Sequence, residues 1–139
     1  WQVPYAPGKL EAKGTSQGKP LCAVRETTGV ASGISLTPDR SALKADGADL
    51  AWVAVSIVDD MGRTVPTAGN VVRFGIQGLE NLGRGNGDSS SHEPDKASQR
   101  SAFHGLCMVL VQTTGTPGEI VLTAESDGLK PTAITLKSK

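Results

Sequence analysis

Residues 34–74, ISLTPDRSALKADGADLAWVAVSIVDDMGRTVPTAGNVVRF, carry a two-residue period broken at short intervals by turn residues. Ile34 and Leu36 alternate with Ser35 and Thr37, and Pro38-Asp39 ends the run. Residues 43–47 lead into Asp46-Gly47, a pair that accepts positive φ in a tight turn. Residues 51–58 then place Ala51, Val53, Val55 and Ile57 on one face and Trp52, Ala54, Ser56 and Val58 on the other. A second turn, residues 59–63, precedes a further strand at 71–76. A helix buries every third or fourth residue, whereas this spacing buries every second one, so the stretch is restricted to strands.

The same grammar continues. Residues 103–112 form the most apolar run, Thr116-Pro117-Gly118 turns into a strand at 119–126, Asp127-Gly128 turns again, and 132–136 closes the series. Between them, residues 78–100 show no sustained apolar period and read as a long loop, a length that in a compact domain marks function or disorder. About seven strands separated by turns predict an all-β fold, an immunoglobulin-like antiparallel β-sandwich over residues 32–139. Residues 1–31 read differently. Leu10 and Ala12, then Leu21, Ala23 and Arg25, alternate across a turn at 14–19, which predicts a hairpin followed by a small-residue linker. A lone hairpin is marginal in water, so this piece is expected to close a preceding, incomplete second sandwich. The 139 residues leave no room for a (β/α)₈ barrel, which takes roughly 250.

Charge and composition exclude several roles. Fourteen Lys and Arg against fourteen Asp and Glu give no net charge, and no basic stripe exists for nucleic acid. No apolar run approaches the roughly 20 residues of a membrane helix, so no membrane insertion is expected. The opening residues lack a signal-peptide pattern and an initiator Met, so the chain reads as a fragment or processed product, and any export signal is expected upstream of it. Cys22 and Cys107 are expected as two buried small hydrophobes, with a disulfide between them as the alternative.

The stretch LKADGADLAWVAVSIVDDMGRTVPTAGNVVRF, with GRGNGDSSSHEPDKASQRSAFHGLCMVLVQTTGTPGEIVLTAESDGL, resembles the C-terminal immunoglobulin-like domain of glycoside hydrolase family 2 enzymes, the β-galactosidase-like members of gut Bacteroidetes above all. WQVPYAPGKLEAKG and GKPLCAVRETTG are similar to the end of the sandwich domain preceding it there. GNGD, HEP, the following arginine and AF-x-G together are the specific part of the likeness. The resemblance implies a non-catalytic accessory domain, with a structural or interdomain packing role, of an exported parent enzyme in the periplasm or at the cell surface. Its partners would be the parent's other domains and, in the alternative, carbohydrate. The family's catalytic carboxylates sit on a barrel absent here, so no catalytic residue is assigned, and no cofactor.

Three groups of residues are candidates for contacts. Asp88, His92, Glu93 and Asp95 gather ionisable groups among glycines in the long loop, with Asn86 beside them. A glycosidase pair needs carboxyls roughly 5 to 9.5 Å apart with one held protonated by a dry site, which a loop at a sandwich edge does not offer. Calcium ligation by Asp88, Glu93 or Asp95 lacks EF-hand spacing, and no metal is assigned. The alternatives are loop-holding hydrogen bonds, Glu93 and His92 pinning the loop to Arg100 or the sheet, and glycan contact through Asn86, Asp88, His92 and Glu93 together with Trp52. Of the other aromatics, Phe74 and Phe103 are expected in the core, while Trp1 and Tyr5 belong to the incomplete piece. The third group is Leu106, Met108 and Leu110. They form a second apolar row opposite Cys107, Val109 and Val111, and predict that the face carrying them is covered by the loop or by another domain.

Overall fold

A computed structural model describes residues 2–78 and 82–139, and all its regular structure is β. The elements are β1 (Lys9–Ser16), β2 (Lys19–Glu26), β3 (Gly33–Pro38), β4 (Ala42–Leu43), β5 (Leu50–Val58), β6 (Val71–Gln77), β7 (Leu82–Gly85), β8 (Gln99–Ser101), β9 (Leu106–Gln112), β10 (Gly118–Glu125) and β11 (Thr132–Ser138). From β3 onward they form two sheets, β3-β5-β9-β7 and β4-β11-β10-β6-β8. Pairing is antiparallel except for the short parallel contact of β4 with β11. The result is the immunoglobulin-like sandwich, with more strands than the sequence pattern suggests. β7 and β8 lie within the segment read as an unbroken loop, and strands of four and three residues are too short to show a period of their own.

The core lies between the sheets. Ala51, Val53, Val55 and Ile57 of β5 are fully buried, as their alternation predicts, and face Val72, Ile120, Leu122 and Leu136 of the other sheet as members of one cluster. Each completely buried Val or Leu contributes about 2 kcal/mol of transfer free energy, and together they fix which face of each strand turns inward.

Two expected core residues sit elsewhere. Phe103 is 38% exposed because it belongs to the hairpin turn before β9 rather than to the strand. His104 and Gly105 at the centre of that turn have φ of 52° and 77°, the positive pair of a type I′ turn, which turns Phe103 outward to stack edge-on against His104. A side chain at position 105 would collide with the Val65 carbonyl, so the position needs glycine. Cys22 is exposed while Cys107 is buried, and both are free thiols. Cys22 stands on a hairpin with nothing packed over it.

That hairpin is β1 with β2. Leu10 pairs with Arg25, Ala12 with Ala23 and Gly14 with Leu21, so the predicted apolar residues do share one face. Every residue of both strands is nevertheless exposed. Residues 27–32 lead from it into β3. Trp1 lies outside the described residues.

Candidate functional site

The long segment between β7 and β8 is built around Arg100. This side chain is 3% exposed and donates from Nη2 to the Arg84 carbonyl at 2.6 Å and to Asp95 Oδ1 at 2.7 Å, and from Nη1 to the Glu93 carbonyl at 3.1 Å. The Arg84 amide in turn donates to the Asp95 carbonyl. The outer edge of β7 is thereby capped by the loop, which removes a bare strand edge from solvent. Arg84 itself points into the sandwich, 8% exposed, with its guanidinium 5.7 Å from the Phe74 ring centroid. Burial, and next the nearby charge of Arg100, lower its affinity for the proton. Among the described residues neither Arg84 Nε nor Arg100 Nε finds an acceptor.

The polar residues of the loop are held in the same way. Asn86 Nδ2 donates to the Ser101 carbonyl and its Oδ1 accepts from the Asp88 amide. Asp88 accepts from the hydroxyl and the amide of Ser90, and these bonds hold its carboxyl below the usual carboxylate range. Glu93 accepts from the Ser101 amide and from its hydroxyl at 3.0 Å. Asn86, Asp88, Glu93 and Asp95 thus bond within the loop and to the neighbouring β8, as the loop-holding alternative expects. His92 is exposed and takes part in no hydrogen bond among the described residues. Nor, among those residues, do three His, Cys, Asp or Glu side chains gather closely enough to hold a metal ion.

Trp52 is 48% exposed on the outer face of the β3-β5-β9-β7 sheet. It stands opposite Leu110, which stands opposite Gly83, so two strand spacings, about 10 Å, separate it from β7. Asn86 lies three residues beyond Gly83, about 10 Å further along the chain direction. Trp52 and the loop are therefore not one constellation. Trp52 instead joins Leu106, 48% exposed, Leu110, 37% exposed, and half-buried Met108. Gly83 and Gly85, the register partners of Leu110 and Met108, carry no side chains to shield them. Among the described residues the loop leaves this row open.

A node the sequence analysis does not single out lies at the turn after β5. Asp59 is 2% exposed and accepts from the amides of Gly29, Met61 and Arg63 at 2.8 to 3.0 Å and from Arg63 Nε at 2.9 Å. Burial opposes its charge, yet the bonds from Gly29 and Arg63 outweigh that and hold the carboxyl at about 2. Its signal in the sequence is slight, an Asp opening a turn closed by Gly62-Arg63.

Comparison with known proteins agrees with this architecture. Residues 34–135 match the glycoside hydrolase family 2 C-terminal domain 5 family. The beta-galactosidase BoGH2A of Bacteroides ovatus is 39% identical over the whole of this chain, which spans 17% of that protein. A beta-glucuronidase of Formosa agariphila is 30% identical over 98% of the chain and 14% of its own length. Among solved structures, a glycosyl hydrolase family 2 member from Bacteroides cellulosilyticus superimposes on the whole chain with a TM-score of 0.94 at 33% identity, the chain covering 18% of it. The chain thus spans about a sixth of the length of the curated relatives it matches, and it belongs to the glycoside hydrolase family 2 C-terminal domain 5 family.

Proposed function

We propose that the chain serves as a non-catalytic accessory domain of an exported family 2 glycoside hydrolase acting on β-galactosides or β-glucuronides, and that its task is interdomain packing. The observation that carries this is the open apolar row Trp52, Leu106, Met108 and Leu110 on an otherwise well-packed sandwich. A row of that kind is costly to leave in water and suits a surface of the parent's remaining length. Residues 1–31 extend the reading: a hairpin exposed on both faces fits the closing strands of a preceding sandwich, with residues 32–139 as the domain proper. Location in the periplasm or at the cell surface rests on the family resemblance, and fractionation of cells expressing the parent tests it.

The packing role is tested in the intact parent with Leu110→Asp. The expected result is a lowered melting temperature and looser domain arrangement in small-angle scattering, with little change in the separate 139-residue chain. An unaltered parent would overturn it. Exposed Trp52 also favours a second reading, in which the domain binds glycan on the outer face of its sheet through Trp52, apart from the loop residues Asn86, Asp88, His92 and Glu93. Calorimetric titration with galactosides and plant or host polysaccharides decides between them. Saturable binding lost in Trp52→Ala supports the glycan reading, and no binding by the folded chain leaves packing.

A further inference from the structure

We infer that the turn after β5 is a rigid joint, in which Asp59 welds the segment 27–32 to the sandwich and so fixes the direction in which the preceding unit leaves it. The sequence of this segment, Thr-Thr-Gly-Val-Ala-Ser, reads as a free tether of small residues. Its bonding is that of a fixed strap. The Gly29 amide donates to Asp59 Oδ2 at 2.8 Å, and the Ser32 amide donates to the Val58 carbonyl at 2.8 Å. The Lys130 amide donates to the Ser32 carbonyl, so the strap is gripped from two elements of the sandwich. Thr27, Thr28, Ala31 and Ser32 are half-buried.

Asp59 is held in place by its own turn as well. Its Oδ1 accepts from Met61 and Arg63 amides, its main chain closes the turn with Gly62 and Arg63, and Gly62 takes a φ of 76° to allow it. One oxygen thus organises the turn and the other is left for Gly29 and the Arg63 guanidinium. The same guanidinium reaches onward to Glu26 Oε1 at 3.1 Å, at the last residue of β2. The ties run in one line, from sandwich to carboxylate to strap to the foot of the hairpin. The inference stands apart from the packing role, because it concerns bonds within this chain whatever covers the outer face.

The experiment is ¹⁵N relaxation and amide exchange on the 139-residue chain. In the unaltered chain Gly29, Val30 and Ala31 are expected to show order parameters near 0.85, like the sandwich, with a protected Gly29 amide. Asp59→Ala should drop them below about 0.6 while the amides of β9 and β10 keep their dispersion. Low order parameters at 29–31 in the unaltered chain would overturn the inference, as would unchanged values in Asp59→Ala. If that variant loses the sandwich, Asp59→Asn keeps the shape of the side chain and should speed Gly29 exchange at least tenfold. Unchanged exchange there overturns it equally.

Discussion

The hairpin of residues 9–26 and the sandwich that follows use the same alternation of apolar and polar residues, yet one has a core and the other has none. Leu21 and Leu122 both occupy the apolar face of a regular strand, and they differ in exposure from 57% to 0%. What separates them is a second layer. β10 shares one buried interior with β5 and β9, whereas no residue of β1 or β2 is buried. Periodicity tells a strand which face is apolar. Burial, and the stability it brings, comes only from what is placed against that face.

The largest expected effect breaks the comparison directly. Leu122→Ala removes a completely buried side chain and should cost about 3 kcal/mol or more in chemical denaturation of the chain, within the range for large-to-small core changes. Leu21→Ala should cost less than about 0.5 kcal/mol, as for exposed positions. Equal losses would mean that the hairpin has a packing partner within the chain.

Arg100 gives the next effect. It satisfies one main-chain carbonyl of β7 and one of the loop over it, so Arg100→Met should orphan them and cost about 2 kcal/mol, read from the denaturation midpoint. The loss should appear first as faster exchange of the Arg84 and Ser101 amides. This residue also marks how far the sequence could be read. The strands β5, β6, β9, β10 and β11 were legible, and for β5 and β9 so were the two faces, since each spans enough residues to repeat a period. β7 and β8 were not, because strands of four and three residues are too short to repeat a period, and the arginine that ties the loop over β7 leaves no periodic trace. The motif GNGD, HEP and the following arginine was visible as a unit, and the structure gives it a mainly fold-holding role through Asn86, Asp88, Glu93 and Arg100. Phe103 was misplaced because a type I′ turn overrides the apolar run it begins. The openness of Leu106, Met108 and Leu110 was half legible, as an apolar second row that the described residues of the loop leave open and that Trp52 extends.

Acid titration separates the two regions by charge. Asp59 has a folded value of about 2 against an ordinary 3.8, so its bonds add stability above the unfolded value, and this is lost as pH falls from about 4 to about 2. Glu11 on the hairpin is also lowered, by Lys9 first and Lys13 second, but as an exposed ion pair in water it adds little. Asp59→Asn should therefore flatten the fall in stability over that pH window, and Glu11→Gln should leave it nearly as it was. The reverse result would place the acid-sensitive contacts in the hairpin.

The smallest perturbation uses the two thiols, one in each region, and needs no mutation. Cys22 is exposed on β2, so a disulfide reagent should modify it as fast as an unfolded peptide thiol. Cys107 is buried beneath the sandwich, and burial pushes its thiol up to about 12, with the charge of Arg100 opposing and that of Glu93 adding to the rise. A thiol favoured in its neutral form stabilises the fold below the unfolded value and loses that contribution as pH rises from about 8.5 toward 12. At pH 8 one equivalent should react at once, and the second only at the rate at which the sandwich opens. That second rate should rise with Leu122→Ala and Arg100→Met, which loosen the sandwich, and ignore Leu21→Ala, which does not touch it. Simultaneous reaction of both thiols in the unaltered chain would mean that β9 is no better protected than the hairpin, and the contrast between the two regions would fail.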